Sequence, residues 1–218
     1  MVAVREGADP DARRPGRTPA ASRAQVLAAA RARFLACARL DVVALAAELG
    51  LGRVTVYRWF GSREGLLTAV LAAEAEQVFA QAVRHAPGRG ASRLLAVFDG
   101  VNRALAGSPA LRHLLRTEPD VGRRLVLSSA SPVRPTVLRL LEAVVEEEVA
   151  AGRYAPAVDT ATLAVAVERL AVAFLYEDER VDVRGDVERL RAVEAALLGL
   201  PAGTGPGPLS GPGSGSPG

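Results

Sequence analysis

The chain has 218 residues, half of them hydrophobic and only 4% aromatic, with 27 basic residues that are all Arg, 24 acidic residues and a net charge of +3. That length can bury a sizeable core in one domain or two small ones, and a composition of Ala, Leu and Val at helical spacings favours an all-α protein. A single cysteine, Cys37, excludes an internal disulfide; residues 1–21 lack the apolar core of a secretory signal; and no apolar run reads as long and clean enough to span a bilayer, which places the chain in the cytoplasm as an expectation.

The charge is uneven. Through Val70 there are 11 Arg against 6 acidic residues, and beyond it 16 against 18. The basic part is therefore the N-terminal third, as attraction to phosphates requires.

Residues 1–21 read as a disordered basic tail. Its Arg13, Arg14 and Arg17 either stay in solvent or trail over phosphates or a minor groove. Ser22 can cap a first helix, with Leu27, Ala30 and Phe34 on its inner face. Cys37 is most simply a small core residue near that helix end.

The stretch from Asp41 to Leu67 reads as two short helices joined by a tight turn, then the start of a longer helix. Asp41 caps the first, and Val42, Leu45, Ala46 and Leu49 give it an apolar face. Gly50-Leu51-Gly52 breaks it, with Gly50 suited to the left-handed position after a helix. The second runs from Arg53 to Phe60, with Val56 and Phe60 inward and Arg53, Val54, Thr55, Tyr57, Arg58 and Trp59 wholly or partly outward. Gly61 ends it, Ser62 caps the next helix, and Glu64 suits that helix's positive end. A second helix of this kind fits the major groove of B-DNA. Arg53 and Arg58 would read bases, while Thr55, Tyr57, Trp59 and Arg63 would hold phosphates or pack on the backbone.

The third of these helices runs on to about Arg84 and can join head to body. Further helices are predicted at about 91–107, 108–115, 119–128 and 131–151, with Glu146, Glu147 and Glu148 toward water on the last. The final pair spans 159–178 and about 186–199. Leu163, Val167, Leu170 and Phe174 form a stripe on one, and Leu190, Val193 and Leu197 on the other. Asp159, Glu168, Arg169 and Glu177 interrupt the first of the pair, against a membrane span. Residues 201–218 are a low-complexity Gly/Pro/Ser tail. Its Gly213, Gly215 and Gly218 match GxGxxG only formally, with no strand before them and no helix after.

The wording of the head motif resembles the DNA-binding segment of TetR-type transcriptional regulators. The residues that carry it are Leu45-Ala46, Gly50-Leu51, Thr55-Val56-Tyr57, Phe60, Arg63-Glu64 and Leu66-Leu67. Arg63 stands where the family usually has Lys. Asp41 stands where Thr or Ser is common, so that residue's phosphate contact is not carried over. Arg58-Trp59 and Arg39-Leu40-Asp41 resemble the QsdR-like branch, as do the segments LLRTEPD, VEEEVAAGRYAP and VERLAVAFLYEDE in the body. The resemblance implies an all-α protein of about nine to ten helices. Residues 22–67 would form a three-helix head that binds double-stranded DNA, and 68–200 a helical bundle for ligand binding and dimerisation. It further implies a homodimer through 159–178 and 186–199 on a near-palindromic operator, and release by a small amphipathic, lactone-like effector.

An apolar pocket between the middle helices would need a few polar groups to orient that effector. The candidates are Asn102, Arg112, His113, Arg116, Glu142 and Glu168. The simpler reading of His113 is a partly exposed surface residue beside Arg112, and that of Glu168 a surface ion pair with Arg169. No cofactor or metal site is expected, because two histidines and one cysteine are too few. HExxH, GxSxG and CxxC motifs are absent, so neither His85 nor His113 has an obvious catalytic partner. A small helical enzyme, or a helical interaction protein without DNA binding, is the competing expectation.

Overall fold

The computed structural model describes residues 21–176 and 183–201. The basic tail with Arg13, Arg14 and Arg17, the residue Glu177 and the Gly/Pro/Ser tail from 202 lie outside the described residues. Among the described residues there are ten α-helices, one π-helical turn and no strand.

Local chemistry sets the head. Helix α1 (Arg23–Leu35) opens with a reciprocal cap between Ser22 and Gln25, which satisfies two backbone N–H groups that a bare helix start leaves open. Its buried face is Val26, Ala30 and Phe34. The expected face began one residue later, at Leu27, which is only half-buried. Cys37 follows in the left-handed region, with φ +54°, and packs partly against the head core. Helix α2 (Val42–Glu48) is capped by Asp41, whose carboxylate accepts from Val43 and Ala44. Gly50 turns the chain at φ +66°, and the Leu51 N–H donates back to Ala46 at 2.8 Å. Helix α3 (Arg53–Phe60) buries Val56 and Phe60.

Ser62 caps α4 (Arg63–His85) through the Gly65 N–H. A Cβ at Gly65 would lie 1.9 Å from the Phe60 carbonyl oxygen, so only glycine allows α4 to begin this close to the end of α3. Beyond α4 come α5 (Gly90–Gly107), α6 (Pro109–Thr117), and α7 (Pro119–Gly122) continuing into the π turn Arg123–Leu127. Then follow α8 (Arg134–Ala150), α9 (Thr160–Tyr176) and α10 (Val183–Leu197).

Two apolar cores result. One holds the inner faces of α1 to α4 together with Leu111 and Leu114 of α6, Leu125 of the π turn and Val133. The other holds Phe79 of α4 and the inner faces of α5, α8, α9 and α10. Leu105 and Val137 pack against both. Helix α4 supplies residues to each core, and this corrects one sequence expectation. It is long and apolar enough to cross a membrane by length and composition, yet Leu66, Leu67, Val70, Leu71 and Phe79 are buried against neighbouring helices.

Glu148 is a second correction. It does not face water with Glu146 and Glu147: its side chain has no exposed surface. Arg153 and Arg93 pair with it, and the Gly90 N–H donates to it at 2.7 Å. The Arg153 guanidinium, with the help of Gly90 and Arg93, outweighs desolvation and holds the Glu148 carboxyl down at about 2. This cluster ties the start of α5 to the end of α8.

Candidate nucleic-acid interface and ligand cavity

Helix α3 presents Arg53, Val54, Tyr57 and Arg58 at the surface. Val54 is 74% exposed, uncommon for so large an apolar side chain, and of the right character to pack on a thymine methyl. Thr55 and Trp59 are half-buried, with Trp59 packed against the head core. Other head arginines are engaged: Arg31 pairs with Glu74 and Arg33 with Glu48, while Arg23 lies over the Phe60 ring at 4.6 Å. Arg53 and Arg58 have no ion pair among the described residues, so their charge is available to an anionic partner.

Arg63, expected at the DNA backbone, has partners within the chain. Its guanidinium forms a bidentate pair with Glu118, with one contact at 2.7 Å, and its Nε donates to the Leu40 carbonyl at 2.8 Å. The Arg63 guanidinium in turn lowers the Glu118 carboxyl below the usual range. One residue on, Glu64 accepts from Arg124 of the π turn at 2.6 Å. The start of α4, directly after the exposed helix, is thus gripped from the body at two adjacent residues.

A cavity of about 190 Å³ lies at the seam between the two cores. Phe34, Leu71, Leu125 and Val133 of one core and Phe98 and Val167 of the other line it. Its few polar neighbours include Glu74, Asn102, Ser131, Arg134, Glu168 and Tyr176. Of the six expected ligand residues, Asn102 and Glu168 are here. Asn102 is turned away to a buried partner, donating to Glu194 at 3.0 and 3.2 Å. Burial raises the Glu194 carboxyl to about 7 despite that hydrogen bond. Glu168 is not at the surface as one reading had it: it is 8% exposed, with Arg134 Nε at 3.2 Å and Arg169 Nε at 3.3 Å.

The other four expected residues are elsewhere. Helix α6 turns Ala110, Leu111 and Leu114 inward, which leaves Arg112 and Arg116 exposed; Arg112 donates to the Ala106 carbonyl. His113 lines a separate cleft of about 530 Å³ beside Arg63 and Glu118. Glu142 is half-buried beside the inward Leu141 and does not line the cavity. Arg134 and Tyr176 were missed. The spacing Glu168, Val172, Tyr176 places three lining residues on one stripe of α9, a signal readable in the sequence. Arg134 belongs to another helix, and only the packing of α8 on α9 brings it there.

Residues 89–199 match the family described as Tetracyclin repressor-like, C-terminal domain. Among solved structures the chain is similar to the transcriptional repressor QsdR from the TetR family of R. erythropolis. It is 31% identical to QsdR, over 82% of this chain and 94% of that one, with a TM-score of 0.74. The TetR family repressor AlkX from Dietzia sp. strain DQ12-45-1b, implicated in biodegradation of n-alkanes, is 21% identical. It is covered over 83% of this chain and 97% of its own, with a TM-score of 0.58, and shows a shared fold. No curated protein sequence matches the chain.

Proposed function

The chain belongs to the TetR family of transcriptional regulators, and from that premise we propose that it is a ligand-responsive repressor of the QsdR-like branch. Arg53 and Arg58 read base edges in the major groove, Val54 packs on a thymine methyl, and Thr55, Tyr57 and Trp59 seat the helix on the backbone. The surplus Arg of the N-terminal third supplies the sequence-independent attraction.

The observation that carries the ligand-responsive half is the place of the cavity. It sits between the head core and the body core, with the π turn as part of its wall through Leu125 and Val126. The same turn holds Glu64 through Arg124, and Arg63 holds Glu118 just before α7. A π-helical turn is rare and is frequently found at functional sites. A small amphipathic effector that fits one arrangement of this seam better than the other shifts the start of α4, and with it α3, by its difference in affinity for the two.

The operator reader is a two-fold dimer in this reading. Exposed Val193 and Leu197, one turn apart on α10, and half-buried Leu170 and Phe174, one turn apart on α9, supply apolar surface of the kind two copies bury together. Selecting bound DNA from a random pool, then screening small molecules for release, tests the whole reading. Recovery of a near-palindromic site that a small amphiphile releases is the expected result. Salt-independent or sequence-independent retention of DNA would contradict it.

A further inference from the structure

Among the described residues, three buried polar atoms at the cavity lining lack a hydrogen-bond partner: Arg134 Nε, Glu168 Oε2 and Tyr176 Oη. Arg134 and Glu168 face each other at 3.2 Å, close enough to pair as ions but without hydrogen-bond geometry. Buried polar groups are rarely left so. Burial pushes the Tyr176 phenol up, so it is present as a hydroxyl that can donate and accept.

Hydrogen-bond capacity narrows what can satisfy these atoms. Glu74 is paired with Arg31, and Glu168 has Arg134 and Arg169 as counter-ions, yet Glu168 Oε2 still lacks a hydrogen-bond donor. An ionised carboxylate entering here can only accept hydrogen bonds, so it would leave that oxygen unmet and bring a second negative charge beside it in an otherwise apolar cavity. A simple ester or lactone ring only accepts hydrogen bonds. It would engage Arg134 and Tyr176 and leave Glu168 Oε2 unmet. Size narrows it further: an apolar cavity of roughly 150 Å³ holds benzene, and this one is about 190 Å³.

We propose that the cavity takes a small uncharged amphiphile, an apolar body of about six to ten non-hydrogen atoms ending in a hydroxyl or N–H amide that both donates to Glu168 and accepts from Arg134 or Tyr176. The proposal rests on the reading of this cavity as the effector site and names the ligand chemistry of that site.

The test is calorimetric titration of the full chain at pH 8 with hexanamide, hexan-1-ol, methyl pentanoate and ionised hexanoate, which are near in size. Hexanamide and hexan-1-ol bind at least about tenfold more tightly than hexanoate, and methyl pentanoate falls between. Glu168→Gln frees Arg134 and Arg169 from their counter-ion and reverses the order of hexan-1-ol and hexanoate. Tyr176→Phe removes a hydroxyl that has no partner among the described residues, so the chain folds as before, and it weakens hexanamide. Tighter binding of hexanoate than of hexanamide to the wild type overturns the ligand class while leaving the cavity as the effector site. Failure of every member to bind the folded wild type overturns both.

Discussion

Arg58 and Arg63 carry the same charge on either side of the α3–α4 turn, yet their surroundings assign them different work. Arg58 is exposed without an ion pair among the described residues, whereas Arg63 is held by Glu118 and the Leu40 carbonyl. Arg58→Ala is predicted to cost about 1–3 kcal/mol of specific binding and to relax one base position, measured by gel shift against the selected operator and its single-base variants. For Arg63→Ala the sequence alone predicts an even loss across all DNA sequences. The structure predicts a different result: ligand and operator become less coupled, seen as an effector that still binds but releases DNA poorly. Glu194 makes a prediction for stability. Its folded carboxyl is raised to about 7, so its favourable contribution is present in full below the unfolded value of 4.5 and is lost as pH rises through 7. Urea unfolding is expected to show a loss of roughly 1 kcal/mol between pH 6 and pH 8 from this group, absent in Glu194→Gln. The outward residues of α3 were legible in the sequence because helix period alone puts them outside. Glu148 and Glu194 were not, because a helix pattern does not reveal that a neighbouring helix brings Arg93 to one and Asn102 to the other.

At the scale of the element, the unit that matters is α3, the Gly61-Ser62 turn and the first turn of α4. Its caps and turns were readable because they are local: Asp41, Gly50, Gly61 and Ser62 each act within a few residues of their own position. The need for glycine at position 65 was not readable, because the clash it avoids is with the Phe60 carbonyl across the turn. Gly65→Ala is predicted to destabilise the chain by about 1–3 kcal/mol, and to weaken operator binding further by displacing α3; thermal unfolding and the gel shift together check this. The π turn was likewise read only as a short helix. Its extra residue per turn is a backbone feature with no sequence period to announce it, yet it is the segment that both lines the cavity and holds Glu64.

For the whole molecule, the two cores and the charge balance tell one story. The head core does not close on itself: Leu111, Leu114, Leu125 and Val133 from the body complete it, so the head cannot move without disturbing α6 and the π turn. A cavity at that seam is placed to couple two sites through this packing together with the Arg63–Glu118 and Arg124–Glu64 pairs. The apolar surface on α9 and α10 predicts a dimer, and Val193→Glu with Leu197→Glu is expected to give a monomer by light scattering, with operator affinity reduced at least about tenfold. The central claim is that cavity occupancy and DNA binding oppose each other. Linkage makes that claim measurable in one quantity: the affinity of the tightest uncharged amphiphile for the free chain and for the chain saturated with its selected operator. The two affinities are predicted to differ by roughly 5- to 150-fold, weaker on DNA; equal affinities would contradict the account.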